Sequence, residues 1–410
     1  AFLGASSLTK IVIPNSVTSI GEAAFSGASS LKSIVIPNSV MSIGSYAFSG
    51  ATSLESVVIQ NGVRIISTHV FSGASNLKSI VIPNSVTSIG EAAFSGTSNL
   101  SSITLPFIGN SRISTGSNAS FGYIFGLSSY TGSYQANGYY LPIGLQEVTV
   151  SDASSIGSLA FLGASSLTKI VIPNGVRSIG NSAFSGASSL MSIIIPDSVT
   201  SIGEAAFSGT SNLSSITLPF IGNSRTSTGK NASFGYIFGT TSYSGSYNAN
   251  GYYLPIGLQE VAVSDASRIG PLAFLGASSL TKIVIPNSVT SIGEAAFSGA
   301  SSLKSIVIPN SVTSIGEAAF SGTSNLSSIT LPFVGNSRIS TSTNASFGYI
   351  FGTTSYSGSY NANGYYLPVG LNEVIINDSV TNESYLSFGS STIRIIVIPN
   401  CLTMSKVLCR

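Results

Sequence analysis

Phenylalanine recurs at 23-residue intervals: Phe2, Phe25, Phe48, Phe71 and Phe94, then Phe161, Phe184 and Phe207, then Phe274, Phe297 and Phe320. A period of that length means stacked copies of one small unit, which constrains the fold before any composition is considered. Between the aromatics the apolar positions keep register. They are Leu8, Ile11, Ile13, Val17 and Ile20 in the first unit, and Leu31, Ile34, Ile36, Val40 and Ile43 in the second. Ile11-Val12-Ile13 is β-branched and alternating, so it reads as a short strand with Ile11 and Ile13 on one face. Pro14 and Asn15 end that strand, because proline cannot continue a ladder and asparagine favours a turn. Val17 and Ile20 supply a second, weaker inward patch, and Glu22 to Phe25 reads as a helical or 3-10 turn that plugs the core with a ring.

One such coil cannot bury its apolar face alone; stacked coils share one core. Strand motifs are led by Leu8, Leu31, Leu54, Leu77, Leu100, Leu145, Leu167, Leu190, Leu213, Leu258, Leu280, Leu303, Leu326, Leu371 and Ile393. The expected fold is a repeat solenoid of about 15 coils: a parallel β-sheet with short helical or 3-10 turns.

The pattern Leu-x-x-Ile-x-Ile-Pro-x-x-Val-x-x-Ile-Gly-x-x-Ala-Phe-x-Gly, from Leu8 to Gly27, resembles the BspA-like class of leucine-rich repeat. Near-copies in one register cover nearly the whole chain. The resemblance departs at Gly27-Ala28-Ser29, where the class often carries cysteine, and after Cys401, where the pattern decays. It implies a leucine-rich-repeat fold, a secreted or surface-displayed location, adhesion to host or matrix molecules, and no catalytic activity.

A second period of 113 residues overlies the first, as Phe94 to Phe207 and Phe207 to Phe320 illustrate. Within each long unit one coil is enlarged: Ile103 and Val148 head successive strands 45 residues apart. The expected organisation is one solenoid over 1–410. It has regular repeats at 1–105, 145–218 and 258–331, enlarged coils at 106–144, 219–257 and 332–370, and degenerate repeats at 371–410. Fifteen of the 17 tyrosines fall in the enlarged coils. Tyrosine amid Ser, Gly and Asn is the composition of binding loops, where the ring supplies rigid contact area. Phe121, Tyr123 and Phe125, with Phe234, Tyr236 and Phe238, read as core of the enlarged coil. The candidate ligand-binding residues are Tyr130, Tyr134, Tyr139 and Tyr140 in the first copy, Tyr243, Tyr247, Tyr252 and Tyr253 in the second, and Tyr356, Tyr360, Tyr365 and Tyr366 in the third. Three copies could act together through multivalency.

If Ile11 and Ile13 point inward, Val12 points outward, in a column of Val, Ile and Thr that continues through Val35, Val58, Val81, Thr104, Thr149, Val171, Ile194, Thr217, Ala262, Val284, Val307, Thr330, Ile375 and Val397. Such a ladder reads either as an interface or as the ordinary preference of β-branched residues for strands. Arg112, Arg225 and Arg338 recur in Asn-Ser-Arg, as anion contacts or as loop anchors, and Asp152, Asp265 and Asp378 recur singly. A calcium site needs several oxygens together, which single aspartates do not supply.

Charged residues make up 7% of the chain, 16 Lys and Arg against 14 Asp and Glu, with neither sign in blocks. That argues against nucleic acid as a partner. No apolar run approaches the ~18 residues of a membrane-spanning helix. His69 is the one histidine, and Cys401 and Cys409 are the two cysteines, so neither a four-ligand zinc site nor most histidine-based catalysis is available. The two cysteines either staple a terminus or remain free thiols. No cofactor is expected, and no nucleophile–base pair, phosphate loop or paired carboxylate stands out. Neither a basic n-region nor a cleavage site precedes Phe2, and Ala1 lies inside a repeat, so the chain reads as a piece of something longer.

Two functions fit these residues. One is a non-catalytic surface or secreted recognition protein that binds a protein or glycan ligand through the tyrosine-rich coils and the sheet face. The alternative is a structural protein whose solenoids self-assemble into extracellular fibres or layers. Low charge and apolar coil ends predict self-association in either case.

Overall fold

The computed structural model describes residues 2–377 and 393–398. Cys401, Cys409 and Asp378 lie outside the described residues, as do most of the degenerate repeats after Asn377. Two compact units are present, one of Ala1–Val199 with Ala205–Asn212 and one of Thr200–Glu204 with Leu213–Arg410.

In the first unit each coil from the second onward contributes a strand of three or four residues, including Ser33–Ile36, Ser56–Ile59, Ser79–Val81 and Ser102–Leu105. Adjacent strands are parallel and in register, Ile34 opposite Val57 and Ile36 opposite Ile59. The register follows from the period: equal coil lengths place like residues over like. Alternation then does the sorting, since Ile34 and Ile36 are buried and Val35 between them is 52% exposed. The second unit repeats the arrangement, Ser215–Leu218 pairing with Glu260–Val263 and that strand with Lys282–Val284.

The inward patch at Val17 and Ile20 is stronger than its spacing suggests. Ser19–Ile20, Ser42–Ile43, Ile65–Ile66 and Ser88–Ile89 form a second parallel ladder on the other side of the coil. Two residues suffice because Ile20, Ile43, Ile66 and Ile89 each plug the same core. Residues 291–292 and 314–315 do the same in the second unit.

The stretch from Glu22 to Ala28 closes through i→i+3 hydrogen bonds, Ser26 N–H donating to Ala23 O and Ala28 N–H to Phe25 O. It carries Phe25 into a column of stacked rings: Phe2, Phe25, Phe48, Phe71 and Phe94 have centroids 5.2–5.6 Å apart. Phe274, Phe297 and Phe320 form the equivalent stack in the second unit. These rings are buried from Phe25 onward.

The strand expected at Ile11 to Ile13 does not form. Its coil has a neighbour on one side in this chain, and Ile11 and Ile13 are half-buried there instead of buried. The other strand motifs read from the sequence all carry a strand, ending with Ile395–Val397.

Candidate functional site: the enlarged coils

The enlarged coil adds nothing to the long ladder. Ser102–Leu105 pairs directly with Glu147–Val150, so the extra residues leave the sheet in register. Two features build the insert: a pair of 3-10 turns, Gly116–Ala119 and Phe121–Ile124, and an antiparallel hairpin of Ser133–Ala136 with Tyr139–Pro142. The hairpin turns at Asn137-Gly138 with φ of 49° and 84°. Two successive positive φ values match the right-handed twist of the flanking strands, and Asn-Gly is the pair that tolerates them. The same elements recur at Gly229–Ala232, Phe234–Ile237 and Ser246–Pro255, and at Ser342–Ala345, Phe347–Ile350 and Ser359–Pro368.

Phe121 and Phe125 are core, as the sequence predicts, and continue the aromatic column. Phe125 lies 6.4 Å from Phe94, Phe121 lies 5.3 Å from Phe125, and Phe161 lies 5.1 Å from Phe121. Tyr123 is half-buried and accompanied by Asn110 and Glu91; burial first, then Glu91, pushes its phenol above the usual range.

Each arginine of the Asn-Ser-Arg motif anchors its loop. Arg112 donates to Val86 O at 3.0 Å, to Asn84 O at 2.9 Å and to Asp152 at 2.6 Å, and it lies over the Phe107 ring at 5.3 Å. Arg225 pairs with Asp265 at 2.7 Å, and Arg338 donates to Val312 O and Asn310 O. The two single aspartates within the described residues are thus guanidinium partners. His69 stacks on Tyr46 at 4.8 Å, inside the regular repeats.

The candidate tyrosines are scaffold more than surface: all twelve are buried or half-buried. Tyr139 and Tyr252 are 7% and 8% exposed, against the expectation of exposed contact rings. The cause is close packing on Gly122 and Gly235, where an added Cβ would fall 2.5 Å and 2.4 Å from the tyrosine Cβ. Their hydroxyls donate to Ser117 O and Lys230 O at 3.1 Å, and Tyr365 donates to Thr343 O. Tyr134 and Tyr247 tie the hairpin to the next coil through Ser166 and Ser279, each at 3.1 Å. Tyr360 occupies the same half-buried position in the third copy. Tyr130 donates to Tyr140 O at 3.1 Å. Burial, followed by the adjacent Tyr134, Tyr247 or Tyr360, pushes the phenols of Tyr130, Tyr243 and Tyr356 well above the usual tyrosine range. Tyr140, Tyr253 and Tyr366 keep half-exposed rings. The exposed large apolar side chains of the coils are mostly aliphatic, among them Ile113 (89%), Leu127 (61%), Ile143 (59%), Ile256 (59%) and Ile339 (90%).

Between the first 3-10 turn and the hairpin tip lies a cleft. In the second copy its volume is about 910 Å³, and Lys230, Tyr252, Asn250, Thr240, Arg268 and Leu272 line it. In the first copy it is about 370 Å³, lined at corresponding positions by Ser117, Tyr139, Asn137, Leu127 and Leu159. The tyrosines of the candidate set that are most buried therefore wall a recess. The residues that complete it, Lys230, Arg268 and Leu272, were not legible as a group, because they sit on three separate segments. An Asn-Gly between alternating Tyr residues is the one sequence signal that points to the hairpin rim.

Among the described residues, no helix is long and apolar enough to cross a membrane. No curated protein matches the chain. Among solved structures, a leucine-rich repeat protein from Bacteroides ovatus is 24% identical, with a TM-score of 0.36, over 93% of this chain and 88% of that one. A leucine rich cell surface protein from Faecalibacterium prausnitzii is 22% identical, with a TM-score of 0.28, over 90% and 87%. The pneumococcal vaccine antigen PcpA is 17% identical, with a TM-score of 0.27, over 94% and 72%. The BspA type leucine rich repeat region matches in 6 copies, over residues 1–122, 137–240 and 267–363. With its coil register, aromatic column and paired ladders, this chain belongs to the BspA type leucine-rich repeat family.

Proposed function

We propose that this protein is a non-catalytic recognition module, secreted or displayed at a cell surface, that binds protein or glycan molecules of a host, matrix or neighbouring cell. The observation that carries this reading is the set of exposed apolar side chains at the outward positions of the long strands within each unit. Val35, Val81 and Ile194 in the first unit are 52%, 60% and 69% exposed, and Val307 in the second unit is 62% exposed. Aligned exposed apolar side chains on a sheet mark an interface more often than isolated ones do. The enlarged coils add a second surface, in which Tyr140, Tyr253 and Tyr366 contribute half-exposed rings beside the aliphatic tips, and the other tyrosines hold the loop in shape. A preformed loop loses less entropy on binding than a floppy one.

Binding to a panel of matrix proteins and glycans tests the reading, with the chain compared to Val35→Lys/Val81→Lys and to Ile113→Ser/Ile143→Ser. Loss of binding at an unchanged melting temperature supports it. Retention of every interaction in both variants overturns it. The low charge and the same apolar side chains also favour self-assembly into fibres or layers as the second reading, which electron microscopy of the purified chain addresses.

A further inference from the structure

The second enlarged coil differs from the first in one chemical respect. Where the first cleft has Ser117, the second has Lys230, and where the strand beyond it has Ser155, the second has Arg268. The third copy has Thr343 in the lysine position. Two cations thus enter one cleft in a chain with few charges. Among the described residues, no aspartate or glutamate lines that cleft. The nearby Asp265 is engaged by Arg225 at 2.7 Å.

The lining sorts by chemistry. Leu272, Pro271 and the Tyr252 ring supply an apolar wall, and Thr240 and Asn250 supply a hydroxyl and an amide at the rim. Arg268 is oriented, because its guanidinium donates to Ser227 O at 2.9 Å and to Thr226 O at 3.4 Å through one nitrogen. An arginine carries five N–H donors in a rigid fork, so this anchoring leaves donors for a carboxylate. Lys230 is exposed, and its backbone carbonyl accepts from Tyr252, which seats the residue at the lip. At about 910 Å³ the cleft lies in the ~300–1,000 Å³ range of small-ligand sites.

We infer that the cleft of the second enlarged coil is a binding site for an acidic saccharide. The sugar's carboxylate meets Lys230 and Arg268, its C–H face lies on Leu272 and Pro271, and its hydroxyls reach Asn250 and Thr240. A carboxylate beside two cations forms charge-assisted hydrogen bonds, stronger than neutral ones. An apolar wall with a few placed polar groups is the lining that a ring with one C–H face and one hydroxyl edge requires. The first cleft, smaller and without a cation, discriminates against the same ligand. This inference rests on the recognition reading and names a ligand class for it.

The test uses the whole chain and a set of uronate- and sialate-terminated glycans, each beside its carboxyl-reduced counterpart, followed by calorimetry on the binders. The expected result is one site per chain, with at least tenfold preference for the acid form. Lys230→Ser should weaken binding tenfold or more with no change in melting temperature, because no hydrogen bond of its side chain holds the fold. Ser117→Lys with Ser155→Arg should add a second site in the first cleft. Equal affinity for acid and reduced forms, unchanged affinity in Lys230→Ser, or no binding of any acidic glycan overturns the inference. If no acidic glycan binds while protein targets still do, the recognition reading stands without this site. If the acidic glycan binds and the Val→Lys and Ile→Ser variants lose nothing on any target, the cleft stands and the surface reading fails.

Discussion

The ring of Phe125 lies 6.4 Å from that of Phe94, tilted by 51°, where a regular coil sets its next phenylalanine nearly parallel. The enlarged coil therefore supplies its own aromatics to the column, and Phe121 hands the stack on to Phe161 at 5.1 Å. The core is unbroken at the coil that swells, so the loops can vary without opening a hole beneath them.

Truncating the column should be costly. Phe184 is fully buried between Phe161 and Phe207, at 5.4 and 5.2 Å. Phe184→Ala is expected to destabilise by ~3–5 kcal/mol, as buried aromatics do, read from urea unfolding by circular dichroism. A cost below ~1 kcal/mol would contradict a shared core.

The seat of Tyr139 on Gly122 predicts a coupled pair. Tyr139→Phe removes one hydrogen bond and should cost about 1 kcal/mol. Gly122→Ala drives a methyl group into the tyrosine and should cost ~1–3 kcal/mol, the range for overpacking. In a double-mutant cycle, Gly122→Ala combined with Tyr139→Gly should cost less than the two single changes together, because the Tyr139 Cβ that the methyl group meets is gone. Strict additivity of the two changes would show that they do not touch.

Alkaline stability follows from the raised phenols of Tyr130, Tyr243 and Tyr356. In the unfolded chain these groups ionise near the ordinary value of 10.0, while in the folded chain they hold their protons to higher pH. The unfolded state then binds fewer protons than the folded state, so stability declines as pH rises above 10.0 and is fully present below it. Unfolding curves on either side of that pH should reveal the decline, and the triple variant Tyr130→Phe/Tyr243→Phe/Tyr356→Phe should flatten it. An equally steep decline in the triple variant would assign the effect to other groups.

Self-association should follow the exposed apolar side chains of the long strands. Sedimentation over a wide concentration range is expected to show larger species, reduced by Val35→Lys, Val81→Lys and Val307→Lys, since edge and face charges oppose pairing. A monomer at every concentration removes the fibre reading and leaves recognition alone.

The repeat itself was legible in the residues. Equal spacing of Phe25, Phe48 and Phe71 admits one solution, like stacked on like. The alternation in Ser33–Ile36 then decides which side chains enter the core. These are local properties: a period and a parity, readable from neighbours along the chain. The short ladder at Ser19–Ile20 was less legible, because two-residue strands carry no alternation of their own and exist through their partners on adjacent coils. The enlarged coils were recognisable by length and by tyrosine content, and composition suggested exposed rings. Burial of Tyr139 was decided by Gly122, which reaches it through a turn and a hairpin. The meeting of Lys230 and Arg268 at one cleft was decided by the pairing of coils that brings the strand Arg268–Ile269 beside the insert's loop. Composition and period depend on the order of residues along the chain. Which side chain is covered, and which cations share a recess, depends on close approach between segments distant in that order, and packing alone sets that.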